Sequence, residues 1–481
     1  MKIYNSILFA FLCLINSVVS SQESNEKYQD VSKLIDVWLE AQKDYENIPS
    51  IMGVIVKDQE LLWSGAFGKA NLESSVASSE NIITSICSTS KIFTATAIMK
   101  LVDQGKISLD DKVKDILPKY SVNQKFPQGG SITVRSLLSH SSGLPRDSHP
   151  YWSGPEHYFP TEDEMLESLS TLDTSHRVGS DITYGNINYS LLGLIIEKIS
   201  GESYKNYIES NLFEPLKMSN SVVEMQSTLY GNKHALGYTA INRNGKRKVA
   251  NFYQTKAMQS ATGISTTPLD LANFLMWQFR LTGASDAEIL RPSTLKSMYK
   301  TQVTSKTNQQ DRRGFGYEVG TDSQGNKLAA HGGTCPGYVN FLRMDVTNKM
   351  GYAILANANR VNTPLYVRGL IDILKRAETI EHEEKQELDL SQYTGFYNVN
   401  PWNSEYYVAS WGSDLMLLYL PAQSLKHALK RYQHVEGDTF QLVEKGELSG
   451  EKINFIRDKQ GRVVKVKNGG NYHSRIALDD K

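Results

Sequence analysis

The stretch from Cys87 to Gly105 reads CSTSKIFTATAIMKLVDQG. Phe93, Ala97, Ile98, Leu101 and Val102 recur at the spacing of one helix face and Gly105 supplies a stop, so the stretch predicts a helix of about four turns. Ser88-Thr89-Ser90-Lys91 opens it. Residues three apart share a helix face, so the Ser88 hydroxyl and the Lys91 amine can meet. The positive end of the helix dipole favours negative charge developing at Ser88. A buried lysine has a lowered pKa and can take a serine proton. The same S-x-x-K spacing also occurs at Ser24, Ser293, Ser297 and Ser449, so the motif alone is a weak signal whose ordinary meaning is a solvated helix start.

Two other short phrases carry chemistry. Tyr184-Gly185-Asn186 precedes NYSLLGLIIEKISG, an apolar helix expected from Asn188 to Gly201. A tyrosine there can act as acid or base, and Asn186 can donate to a substrate carbonyl while accepting from Lys91. Tyr230-Gly231-Asn232 repeats the letters, and a surface turn is the ordinary meaning of such a tripeptide. His331-Gly332-Gly333 lies in a strand-like run, where two glycines let a substrate backbone approach closely. A lone histidine is more often a structural or surface residue, and His140 in LLSHSSG is read as structural.

Further outward, PSIMGVIVKDQELLWSGAFGKAN from Pro49 reads as a hairpin about the turn KDQE. VNFLRMDV and MGYAILANA, after His331, read as two more strands. Helical pattern broken by Pro/Gly loops fills about 110 to 300. Strands at both ends with helices between imply an α+β fold, an antiparallel sheet flanked by helices and closed by distant segments, with an inserted helical subdomain. KRAETIEHEEKQELDLSQ, Lys375–Gln392, reads as a charged linker or exposed helix. Eight short β-rich runs follow it, from YTGFY to NYHSRI, and imply a small all-β barrel or sandwich.

The 481 residues hold 52 Lys+Arg against 52 Asp+Glu, and only three cysteines. Zero net charge argues against a nucleic-acid partner. Three cysteines are too few for a disulfide-built scaffold. The start pairs Lys2 with an apolar run, Ile7–Ile15, and small residues at Ser17 and Ser20, the pattern of a cleavable leader over 1–20. That run is shorter than the roughly 20 residues of a membrane anchor. Cys13 leaves with it. No H-E-x-x-H, H-x-H or G-x-S-x-G occurs, so no metal, no cofactor and no α/β-hydrolase elbow are expected.

Ser88, Tyr184 and His331 stand in the order of a known family, and with ITVRSLLSHSSGLP at 132–145, GISTTPLDLANFL at 263–275 and HGGTCPGY at 331–338 the chain resembles the serine β-lactamases and penicillin-binding proteins. The likeness is to the branch holding class C β-lactamases, DD-carboxypeptidases, D-aminopeptidases and esterases. It implies that Ser88 is acylated, that Lys91 and Tyr184 share its activation, that Asn186 orients substrate, and that His331 and Gly333 line the strand on which substrate lies. The amides of Ser88 and Thr334 would form the oxyanion hole. Class C enzymes usually carry K-T-G where His331 begins H-G-G, so the implied leaning is away from efficient β-lactam hydrolysis. By the same likeness Cys87 and Cys335 would lie close enough to bridge; two buried free thiols are the other reading.

The implied organisation is a leader over 1–20, a hydrolase domain over 29–376, a linker over 377–392 and a β-barrel-like domain over 393–481. It describes a secreted or periplasmic serine hydrolase acting on a small-molecule or peptide substrate, with cell-wall-derived peptides among the options. It would have no membrane anchor, and its oligomeric state is left open. A true β-lactamase and a penicillin-binding or sensor-like protein that stays acylated are the alternatives. The C-terminal module resembles the small-barrel appendages of some D-amino-acid peptidases; a lid, a wall-binding module and a stabilising domain are its possible roles.

Overall fold

The computed structural model describes residues 29–148, 154, 156–378 and 388–476. The expected leader and residues 379–387 of the expected linker lie outside them. Two compact units organise these residues: 47–367, and 29–46 together with 368–476. No described helix is long and apolar enough to cross a membrane.

In the larger unit, the strand Ser50–Lys57 is buried at every residue but Lys57, an almost unbroken apolar run. A two-residue turn, with Asp58 at φ +51°, joins it antiparallel to Glu60–Asn71. On its other side it pairs with Met350–Ala356, from the far end of the unit. Tyr338–Asp345 and Lys327–Cys335 follow outward, so a nine-stranded antiparallel sheet is closed by segments distant in sequence. The strand Glu318–Thr321 pairs with Lys327–Cys335 only as far as Ala330. Residues 331–335 therefore keep one edge without a strand partner among the described residues.

Helices cover this sheet and fill the insertion. The helix Ser90–Asp103 is buried along most of its length, including Lys91. Asn186–Ser200 starts two residues before the expected position and ends at Gly201, whose φ of +77° is the left-handed stop that glycine adopts without strain. Thr84–Ser85, Ile264–Thr266 and Val222–Val223 form a small sheet, whose last two strands lie within the stretch expected to be mostly helical.

The β-rich segment holds eight strands in strictly sequential order. A bridge between Tyr397 and Arg475 and a bond from the Ile476 N–H to the Phe396 carbonyl (2.8 Å) bring first strand to last, so the sheet is a nearly closed barrel. Tyr393, Tyr397, Tyr406, Phe440 and Phe455 fill its core. The helix over 29–45 groups with this module, where the reading above had put it with the hydrolase domain. Its Trp38 Nε1 donates to the Ala422 carbonyl (3.2 Å), its Gln42 accepts from the Ala422 N–H (2.7 Å), and the Trp38 ring fills the space above Gly369.

Candidate active site

Ser88 lies in a 3₁₀ turn, Cys87–Thr89, that runs straight into the helix Ser90–Asp103. Cys87 has φ +48°, a left-handed conformation that costs a non-glycine residue on the order of 1–3 kcal/mol and persists only where neighbours enforce it. They do. The Ile86 N–H donates to the Ile264 carbonyl (3.0 Å), and the Ile264 N–H donates back to Ser90 Oγ (3.0 Å). Asn340 Nδ2 donates to the Ile86 carbonyl (2.8 Å), while its Oδ1 accepts from Thr89 Oγ1 (2.6 Å). A disulfide joins Cys87 to Cys335, with Cα atoms 5.5 Å apart. Both sulfurs are buried in an apolar cluster with Phe159, Tyr253, Met258 and Tyr338.

Lys91, three residues beyond Ser88, is fully buried. Its Nζ donates to Asn186 Oδ1 and to the Ala261 carbonyl, each at 2.8 Å. Burial pulls its pKa below the ordinary lysine value, against the opposing pull of the Tyr184 side chain and Asp147. Asn186 in turn donates from Nδ2 to Asp147 Oδ1 (2.6 Å), and Asp147 pairs with Arg146 (3.3 Å). The amide is thereby fixed with its oxygen towards Lys91.

Tyr184 sits among cations. Lys91 Nζ, the Arg146 guanidinium and the Arg313 guanidinium lie 5.1, 5.3 and 5.5 Å from its ring centroid. The His140 ring packs against it at 4.5 Å, and His331 lies at 6.2 Å. His140 Nδ1 accepts from the Gly185 N–H (3.2 Å) and the Asn188 amide (3.3 Å), so that nitrogen bears the lone pair. Burial, then the charge of Lys91, push the His140 pKa well below the ordinary value and keep the ring neutral. His140, read from sequence as structural, thus braces the Tyr184 loop directly.

On the strand Lys327–Cys335, alternate residues share a face. His331 approaches Tyr184, Gly333 meets the Ile86 carbonyl, and Cys335 bonds to Cys87. The absent side chain of Gly333 makes room for that carbonyl and for Asn340. Thr334 is exposed. His331 is buried; its Nδ1 donates to the Gly332 carbonyl (2.8 Å), and burial, with Lys91 and Arg313 adding to it, pulls its pKa down to about 3. It is neutral at any ordinary working pH. The fixed cation near this strand is Arg313, paired with Asp311 (2.8 Å) and Glu318 (2.9 Å).

Asn340, Asp147 and Arg313 were not among the expected site residues. Asn340 and Asp147 work through partners 251–254 and 39 residues away, a span that no local motif encodes.

The family model for beta-lactamases matches residues 35–371. The chain belongs to the beta-lactamase family. Members of this family are serine hydrolases, and Ser88 is the serine at the head of its buried lysine helix. The family likeness extends to Protein flp of Staphylococcus aureus, 25% identical over 384 residues that cover 77% of this chain and 71% of that one. Among solved structures, the octameric penicillin-binding protein homologue from Pyrococcus abyssi matches with a TM-score of 0.62 at 24% identity, covering 92% of this chain and 99% of that one. The D-stereospecific amidohydrolase from Streptomyces sp. matches with a TM-score of 0.57 at 21% identity, over 71% of this chain and 97% of that one. At these identities the two structures speak for the fold.

Proposed function

We propose that this chain is an exported serine hydrolase that cleaves an amide or ester bond through a Ser88 acyl-enzyme, in a D-amino-acid-containing peptide or a small ester. The observation that carries the reading is Lys91: a fully buried amine, one helical turn from Ser88, with its pKa lowered and its position fixed by Asn186 and Ala261. As a free amine it takes the Ser88 proton while Ser88 Oγ forms a bond to the substrate carbonyl carbon. Tyr184 passes a proton to the departing nitrogen or oxygen as that bond breaks. The second Asn186 Nδ2 hydrogen holds the acyl-side carbonyl, and the free edge of 331–335 receives the extended substrate. The amides of Ser88 and Thr334 stabilise the oxyanion, each donor contributing about 3–4 kcal/mol in sites of this kind. Water then attacks the ester carbonyl and gives its proton to the Tyr184 phenolate, the bond from Ser88 Oγ to the acyl carbon breaks, and Lys91 returns the proton to Ser88.

Neutral His331 supports the preference for peptides and esters over β-lactams, because the strand itself carries no cation where a Lys would stand, and nearby Arg313 is held by Asp311 and Glu318. The buried disulfide supports export, since such bonds persist in oxidising compartments. A panel of D-Ala peptides, short-chain aryl esters and a chromogenic cephalosporin, with Ser88→Ala as blank, tests the proposal. Turnover of the peptides or esters should vanish in the blank. Retained labelling of Ser88→Ala by a serine-directed acylating probe would overturn the nucleophile, and fast cephalosporin turnover would overturn the substrate class.

A further inference from the structure

A second site lies in the C-terminal module, at one mouth of the barrel. Four neighbouring strands contribute Lys430, Tyr432, Glu444, Ser449, Glu451 and Asn468 to a cavity of about 500 Å³, within the range of small-ligand sites, which favour barrel mouths. Tyr432 is its floor. That residue is 2% exposed and belongs to the packed barrel core, yet its hydroxyl lines the cavity without a hydrogen-bond partner among the described residues. The rest of the side chain is buried, so the hydroxyl is its atom open to the cavity, where a ligand can take the place of water as its partner. Burial and the nearby Tyr419, Glu451 and Glu444 raise its pKa, so it acts as a neutral donor.

The rim carries both signs of charge. Lys430 rests its Nζ 5.3 Å from the centroid of the Tyr419 ring, and neither it nor Glu444 nor Glu451 forms an ion pair among the described residues. Below Tyr432 the barrel is filled by aromatic and aliphatic side chains, so a ligand stays at the mouth. A neutral sugar would want an open aromatic face; the Tyr432 ring is buried and the Tyr419 ring is occupied by Lys430. A molecule with an ammonium for the two glutamates and a carboxylate for Lys430 uses every group present.

We propose that this mouth binds a small zwitterion, an amino acid or dipeptide with free ammonium and free carboxylate ends. The site is built from the barrel's own strands and rests on none of the chemistry at Ser88. Hydrogen–deuterium exchange of the full chain carrying Ser88→Ala, with millimolar D-alanyl-D-alanine as probe, tests it. Protection should appear in peptides covering 429–451 and 463–468. Affinity should fall about tenfold or more in Lys430→Met and in Glu451→Gln, each judged against an unchanged melting temperature. N-acetyl-D-alanyl-D-alanine, which lacks the ammonium, should give no protection there. Equal protection by the acetylated dipeptide or by glucose would overturn the proposal, as would unchanged affinity in both variants. Protection confined to 87–91 and 331–335 would report the catalytic cleft alone; it would overturn this site and leave the acyl-enzyme reading intact.

Discussion

Lys91 occupies a place where a charge is costly, and its replacement separates function from stability. Lys91→Met keeps the side-chain length and removes the amine, so kcat/KM should fall by about 10²–10⁴-fold. The melting temperature should change far less, because relief from burying an amine offsets the loss of its bonds to Asn186 Oδ1 and the Ala261 carbonyl; a loss of stability as large as the loss of activity would assign Lys91 a purely structural role. The pH dependence has the same origin. Activity needs the free amine, so kcat/KM should climb with pH through the lowered Lys91 pKa. His331, already neutral from about pH 3 upward, adds no step of its own. The acidic limb should therefore keep its position in His331→Asn, and its disappearance would make His331 the titrating group. Ser88, Lys91, Tyr184 and Asn186 could be read from sequence because each heads a helix whose apolar face is periodic. Arg313 and Asp147 could not. Each is an ordinary charged residue on a loop or short strand, and only the folded chain brings it to Tyr184 or Asn186.

The turn Cys87–Thr89 depends on elements that reach it from across the unit, above all the strand Tyr338–Asp345 through Asn340. Asn340→Ala leaves the Thr89 hydroxyl without its acceptor, at a cost of about 1–3 kcal/mol, while the Ile86 carbonyl keeps only the Thr89 N–H (3.0 Å). Urea denaturation should register that loss, and kcat should drop with KM little changed, because the turn that orients Ser88 relaxes. A variant with full kcat would show that the disulfide alone holds the turn. That bridge closes a loop across a sequence separation of 248, so Cys335→Ser should lower stability by about 2–5 kcal/mol, measured against the oxidised parent. Helices and barrel strands were legible because they are long enough to show a period. The sheet of Thr84–Ser85, Val222–Val223 and Ile264–Thr266 was not, since two or three residues carry none.

Among the described residues, His140, His234 and His331 are buried and held neutral. Burial is the first cause in each: His234 falls to about 4, His331 to about 3, and His140 well below the ordinary value. An unfolded histidine takes a proton near pH 6.5. Below that pH the unfolded chain binds protons that the folded chain refuses, so stability is full above about pH 6.5 and drains as pH falls towards 4. The slope is about 1.4 kcal/mol per pH unit for each histidine. Urea midpoints should decline from pH 7 to pH 5, and His234→Gln should flatten that decline by about a third; an unchanged slope would remove His234 from the account. At this scale the sheet closed by distant segments was legible, because strand patterns stand at both ends of a helical middle. The grouping of the helix over 29–45 with the barrel was not, since an amphipathic helix does not name the face it will cover. The pairing of Ser50–Lys57 with Met350–Ala356 also sets a timetable for synthesis. About 290 residues separate Lys57 from its partner Met350, and at roughly 5–20 residues per second a ribosome needs about 15–60 s to make them. Throughout that interval the emerging hairpin presents a bare apolar edge, open to a neighbouring nascent chain. The barrel, whose strands pair in the order they are made, has no such wait.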